Sequence, residues 1–248
     1  MIIRHDIDPL YYLTDSKQFP AIIQVNNHQE GEVLVCDGMG MLIQEEWILT
    51  AAHVAFTTDS SSDSITIANQ QYSIKKIILH PQWQNADVIE SVKNDIAIIQ
   101  LNQPVTDVSP LTLYSNNDEA GQDVIFVGWG DFGNGLTGVE GADGRFRMAT
   151  NRIEEVDKQW LIFCFDKPPN TTKMEGISGP GDSGGPALIK TEIGWHLAGI
   201  SSTQCSEEEY NQREDLQEKE GEEGIYGVWE HYTRVSQYLE WIYSTISR

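Results

Sequence analysis

A serine hydroxyl becomes a competent nucleophile only when a base removes its proton and fixed donors receive the charge that develops on the attacked oxygen. The stretch Gly181-Asp182-Ser183-Gly184-Gly185-Pro186 suits the second need, because glycines flanking Ser183 let backbone N–H groups converge where a Cβ would block them. The base must come from elsewhere. Leu49-Thr50-Ala51-Ala52-His53 ends an apolar run that begins at Trp47 with an imidazole. An acid able to orient that ring stands at the mouth of another run, Asn94-Asp95-Ile96-Ala97-Ile98-Ile99-Gln100-Leu101. Taken singly, each is an ordinary residue: a surface histidine, a turn aspartate, a Gly-Ser turn. Together they supply a nucleophile, a base and an orienting acid.

The pattern G-x-S-x-G also fits the nucleophile elbow of an α/β-hydrolase, which requires a helix directly after the serine and the acid and histidine later in the chain. Here Gly184-Gly185-Pro186 leads into strand-like Ala187-Leu188-Ile189, and only His196 and His231 follow, with no parallel βαβ pattern around them. That reading fails.

The elements that must position these groups are short. Apolar runs rich in β-branched residues and bounded by Gly, Asn, Asp and Pro predict strands at 21–25, 32–35, 74–79, 96–101, 124–127, 187–189 and 196–200. Only the tail reads as helix, with Val235, Leu239, Ile242 and Ile246 on one face. Many strands and one late helix predict an all-β sandwich or barrel. A seam falls near Pro110. Glycine-rich 134–145 and the charge-dense 206–224 predict long loops.

Thirty-eight acidic against sixteen basic residues give a net charge of −22, which repels phosphate backbones and argues against nucleic acid as a partner. No apolar stretch approaches the length of a membrane span. Cys36, Cys164 and Cys205 allow at most one disulfide and contain no CxxC pair, so neither a disulfide scaffold nor a structural zinc site is expected. Met1-Ile2-Ile3-Arg4-His5-Asp6 carries no apolar signal core; the protein is either cytosolic or has lost a leader, with Met1 then added for expression.

Thr50-Ala51-Ala52-His53, Asn94 to Leu101 and Gly181 to Pro186, in that order, resemble the three signature blocks of the chymotrypsin/trypsin family of serine proteases. Gly40 to Ile43 before Trp47, His80-Pro81 before Trp83, Val127-Gly128-Trp129-Gly130 and Tyr232-Thr233-Arg234-Val235 extend the likeness from about Phe19 to the C-terminus. The resemblance implies an all-β fold of two six-stranded antiparallel β-barrels with a C-terminal helix: 19–110 for the first barrel, 111–234 for the second, 235–248 for the helix. It implies a serine endopeptidase with His53, Asp95 and Ser183 as its triad, the mechanism being that of the well-known template. The N–H groups of Gly181 and Ser183 would form the oxyanion hole, and Ser202 would back Asp95 and line the substrate strand. Protein or peptide substrates follow, with no cofactor, no metal and no membrane or nucleic-acid partner. A monomer open to a protein inhibitor, secreted or periplasmic after loss of a leader, completes the expectation. The rival from another class is a catalytically silent binding protein on the same fold.

Departures from the family pattern matter as much. Gly38 and Val54 stand where a disulfide usually flanks the catalytic histidine, and Gly179 where a cysteine is usual, as in a bacterial-type member lacking the usual bridges. The substrate pocket would be lined by Ile177 and Ser178 at its base, with Ser202 and Gln204 on its wall. No carboxylate is evident there, so uncharged substrate side chains are expected. In the family a free N-terminal ammonium inserts beside the aspartate preceding the nucleophile, here Asp182. Ile2 is the expected donor, with Ile3 second.

Overall fold

The computed structural model describes residues 1–60, 63–84, 93–205 and 223–247. Most of the acidic stretch expected as a loop, 206–222, lies outside them. After a two-residue strand β1 (Ile2–Ile3) the chain lays down β2 (Ile22–Glu30), β3 (Val33–Gln44), β4 (Trp47–Thr50), β5 (Ser64–Ile67), β6 (Gln70–Leu79) and β7 (Ala97–Leu101). These six pair antiparallel in the order β2-β3-β4-β7-β6-β5, and β5 returns to pack beside β2, so the sheet curls towards a barrel. Strand β5 shows the logic plainly: Ser64 and Thr66 face solvent while Ile65 and Ile67 enter the core, the two-residue period of a half-buried strand. Strand β7 sits between β4 and β6, and Ile98, Ile99 and Leu101 are all fully buried.

The second unit uses β8 (Thr112–Leu113), β9 (Asp123–Gly128), β10 (Phe132–Asn134), β11 (Gly138–Gly141), β12 (Arg147–Arg152), β13 (Glu155–Val156), β14 (Trp160–Cys164), β15 (Gly176–Ile177), β16 (Pro186–Thr191), β17 (Gly194–Cys205) and β18 (Trp229–Arg234). Its main sheet runs β12-β9-β16-β17-β18-β14-β13, with β8 beside β17. A small sheet, β11-β10-β1-β15, draws the N-terminal strand into the same half of the molecule. Two barrel-like sheets and few helices are thus observed, with more strands in the second than the six expected.

Two local expectations need correction. The glycine-rich stretch 134–145 is not simply a loop, because it holds β11, which pairs antiparallel with β10. A Cβ on Gly133 would stand 1.9 Å from the Gly138 carbonyl oxygen, so close backbone approach takes the place of the apolar side chains that betray most strands. The tail is not helical from Val235: a 3-10 turn spans Val235–Gln237, and the α-helix begins at Leu239 (Leu239–Ile246) once Tyr238, at φ −110° and ψ 6°, has broken the regular backbone. Helix residue Ile242 is fully buried in an apolar core that also takes in Leu49 and Ile98 of the first unit and Leu188 and Ile200 of the second.

Candidate active site

His53 rides on a five-residue helix α1 (Ala52–Phe56) that follows β4, and Asp95 precedes β7, the neighbour of β4. Adjacent strand ends therefore bring the two together. Asp95 is fully buried; it accepts the His53 backbone N–H at 2.9 Å and lies 2.7 Å from His53 Nδ1. A carboxylate without a proton can only accept, so Nδ1 carries the hydrogen and Nε2 is the basic nitrogen of the neutral ring. The second unit grips Asp95 as well. Ser202 Oγ donates to Asp95 Oδ2 at 2.6 Å and Thr233 Oγ1 to the Asp95 carbonyl at 2.9 Å. With its carboxylate held by both units, Asp95 has little freedom to turn, while the His53 side chain remains 37% exposed.

Ser183 occupies the turn between β15 and β16. Met39 N–H donates to the Ser183 carbonyl at 2.8 Å, tying the turn to β3. Gly184, at φ +76°, has no room for a side chain: a Cβ there would meet the Met39 carbonyl oxygen at 2.3 Å and Thr50 Oγ1 at 2.5 Å. The Ser183 turn is thereby pressed against the strand end that leads to His53. Gly181, at φ +86°, is equally constrained, since its Cβ would stand 2.0 Å from the Cys36 carbonyl oxygen. Within the turn the N–H groups of Asp182, Gly184 and Gly185 donate to Gly179, Ser201 and Asp182 carbonyls. Those of Gly181 and Ser183 donate to no acceptor among the described residues. Two free donors on either side of Asp182 are what an oxyanion needs.

Asp182 points the other way, into the protein. It is 3% exposed; Oδ1 accepts from Gly130 N–H at 2.7 Å and Oδ2 from Gly179 N–H at 3.0 Å. Its cation is the Met1 ammonium, 2.9 Å from Oδ2, which also donates to the Gly130 carbonyl at 3.0 Å and to the Asp131 carbonyl. With Met1 in place the terminal nitrogen is its own, whereas Ile2 or Ile3 as donor supposes a chain that begins after Met1. Their nitrogens belong to β1, held by register between β10 and β15, with Ile2 opposite Gly133 and Ile177. A strand pinned on both edges leaves the residue before it to reach Asp182.

The residues expected to meet the substrate side chain are only partly as expected. Ile177 is fully buried, packed with Ile2, Phe165 and Val228 in a small apolar cluster. Its neighbour Ser178 and the β17 residue Gln204 instead converge on a side chain that sequence reasoning missed, Glu230 of β18. Ser178 N–H donates to both Glu230 oxygens at 3.1 and 3.2 Å, Ser178 Oγ donates to Oε1, and Gln204 Nε2 donates to Oε1 at 3.1 Å. The expectation of uncharged substrate side chains took no account of this buried carboxylate. A signal did exist: a lone acid inside the strand-like Trp229-Glu230-His231-Tyr232 is out of place unless something recognises it.

None of the three cysteines is in a disulfide. Burial above all, with the nearby Asp182 charge, pushes the Cys36 thiol up to about 12; burial and Asp166 do the same to Cys164. Both are poor nucleophiles at neutral pH. Gly38 and Val54 do face one another, and a Cβ on Gly38 would meet Val54 Cγ1 at 2.5 Å, so the valine side chain fills the space beside the missing Cβ. Among the described residues no cluster of His, Cys, Asp and Glu could hold a metal ion, and no helix is long and apolar enough to cross a membrane.

Comparison with known proteins agrees with this architecture. The family described as Trypsin matches residues 13–242. The chain is 28% identical over 238 residues to vitamin K-dependent protein C of Mus musculus, covering 84% of this chain and 45% of that protein. It is 26% identical over 255 residues to serine protease SP24D of Anopheles gambiae, covering 93% and 78%. The chain thus spans less than half the length of the first of these relatives. Both are animal proteins, so the expectation of a bacterial-type member is not borne out. A solved structure of neuropsin, a serine protease expressed in the limbic system of mouse brain, superposes with a TM-score of 0.67 at 22% identity, covering 95% of this chain and 98% of the other. That likeness shows the fold. With the family matched over nearly its whole length, the chain belongs to the trypsin family of serine proteases.

Proposed function

We infer that the protein is a serine endopeptidase that hydrolyses peptide bonds through Ser183, His53 and Asp95 and an acyl-enzyme intermediate. The observation that carries the reading is the doubly held Asp95, 2.7 Å from His53 Nδ1 and 2.6 Å from Ser202 Oγ, beside a turn whose Gly181 and Ser183 N–H groups are free. His53 Nε2 takes the proton of Ser183 Oγ as that oxygen attacks the scissile carbonyl. The oxyanion falls between the two free donors, and the protonated ring passes its hydrogen to the leaving amine. Water repeats the sequence on the acyl-enzyme. Asp95 keeps the proton on Nδ1 and stabilises the imidazolium without accepting it. Protein or peptide is the substrate class, and secretion suits that role. The ammonium at Asp182 shapes the donor pair by holding the turn from behind.

A silent binding protein on this fold would have no need for an oriented imidazole beside two free donors. The test is labelling with a serine-directed fluorophosphonate together with peptide turnover. Ser183→Ala should abolish labelling. Ser183→Ala and His53→Ala should each lower turnover by several orders of magnitude, and the double variant should lose little more, because the residues act as a unit. Near-normal turnover by either single variant removes the assignment.

A further inference from the structure

Ser178 opens the turn that carries Ser183, and each of its polar atoms is held. Its N–H and Oγ donate to Glu230, its carbonyl accepts from Gln204 Nε2 at 2.9 Å, and its Oγ accepts from Ser201 Oγ at 3.3 Å. Glu230 itself is fully buried, lines none of the cavities found among the described residues and has no cationic partner there. Its donors are all neutral. Ser178 N–H, Ser178 Oγ and Gln204 Nε2 share Oε1, whereas Oε2 accepts only from Ser178 N–H, at 3.2 Å. Burial first, and the Asp182 charge after it, raise the carboxyl to about 7 against the opposing hydrogen bonds. A buried acid without a cation weakens a fold, so its use lies in what it holds.

The cluster reaches both ends of the Ser183 turn. At the entry, Gly179 follows Ser178 directly; its N–H donates to Asp182 Oδ2 at 3.0 Å and its carbonyl accepts from Asp182 N–H at 2.9 Å. At the exit, Ser201 N–H donates to the Gly185 carbonyl at 2.8 Å and the Ser201 carbonyl accepts from Gly184 N–H at 2.9 Å, while Ser201 Oγ donates to Ser178 Oγ. Between these anchors lie the Gly181 and Ser183 N–H groups, which donate to no acceptor among the described residues. We propose that Glu230 is a positioning residue for the reaction: through Ser178 and Ser201 it fixes where the turn begins and ends, and so where those two donors and Ser183 Oγ stand. It touches no reacting atom. This rests on the endopeptidase reading and adds a residue that acts from behind the same site. A carboxylate oxygen accepts several donors at once, and bonds to an ionised acceptor are stronger than neutral ones, which suits a clamp. A side chain with no acceptor would release Ser178 N–H, Ser178 Oγ and Gln204 Nε2 from that clamp together.

The whole chain and its Glu230→Ala, Glu230→Gln and Ser178→Ala variants, each checked for folding by circular dichroism, are compared on two substrates. One is a fluorogenic peptide that the unaltered chain cleaves; the other is p-nitrophenyl acetate, which acylates a serine and brings no side chain to any pocket. Glu230→Ala should lower kcat on both by the same factor, about 10- to 100-fold, with KM for the peptide changed by less than about threefold. Glu230→Gln, whose amide oxygen can stand in for Oε1, should recover most of that loss. Ser178→Ala cuts the hydroxyl bridge alone and serves where Glu230→Ala does not fold; it should lower both rates by a smaller common factor. Lost peptide turnover beside an unchanged rate with p-nitrophenyl acetate would make Glu230 a substrate contact and overturn the proposal. Parental rates in folded Glu230→Ala, or in Ser178→Ala where that variant does not fold, overturn it too, as does a Glu230→Gln protein no better than the alanine variant. If the unaltered chain takes the fluorophosphonate label, these results sink this proposal alone. An unaltered chain that takes no label and turns over neither substrate removes the endopeptidase reading, and this proposal with it.

Discussion

At the scale of single residues, Glu230 and Asp182 are two buried acids with opposite solutions. Asp182 has a cation and two backbone donors, while Glu230 has neutral donors alone and a carboxyl raised to about 7 by burial. A carboxyl whose folded value lies above its unfolded value of about 4.5 binds more protons in the folded chain. Its contribution to stability is therefore full below pH 4.5 and is lost as pH rises through 7. The loss corresponds to roughly 3 kcal/mol, since each tenfold gain in proton affinity on folding is worth about 1.4 kcal/mol. Replacing Glu230 by glutamine removes the titration. We expect the stability difference between variant and parent to move in the variant's favour by a few kcal/mol from pH 4.5 to pH 8, whatever constant offset the amide introduces. Urea unfolding at several pH values measures it, and parallel curves for the two proteins contradict it.

Elements explain why so small a strand as β1 matters. Two residues pair with β10 on one side and β15 on the other, and that register delivers the Met1 ammonium to Asp182, the residue between Gly181 and Ser183. Blocking the ammonium by acetylation leaves a buried carboxylate uncompensated, at about 3–5 kcal/mol. The expected result is a lower unfolding temperature and at least tenfold less peptide turnover; equal turnover by blocked and free chains, matched by intact mass, refutes it. Which element carries which group was unevenly legible. Ser183, His53 and Asp95 stood out as candidates because each sits at the end of a strand-like run, in residues with a chemical reason to be there. A strand such as β7 announces itself through a continuous apolar run, whereas β5, with two apolar residues among four, was not among the expected strands. The β10–β11 hairpin was hidden, because its closeness depends on glycines and not on apolar side chains. Glu230 was hidden for another reason: one acid in a strand tells nothing until Ser178 and Gln204, 52 and 26 residues away along the chain, fold onto it.

For the whole molecule, what counts is that the groups of the candidate site come from both units. His53 and Asp95 come from one and Ser183 from the other; Ser202 and Thr233 cross over to Asp95, and the Met39 N–H crosses over to Ser183. A single apolar core runs through both units and seats the C-terminal helix. Loosening that junction should cost activity before it costs secondary structure. Ile242→Ala, which removes a fully buried anchor of the helix, is expected to lower stability by about 2–5 kcal/mol. Thermal unfolding checks this, and an unchanged midpoint would count against the shared core. Finally, the valine that occupies the space beside Gly38 has a consequence beyond packing. With all three cysteines outside any disulfide, no covalent strap between distant parts of the chain can be cut by electron donors. Dithiothreitol should shift the unfolding midpoint by less than about 2 °C. The chain can then mature equally well in a reducing bath or an oxidising one, with no oxidoreductase needed to finish it.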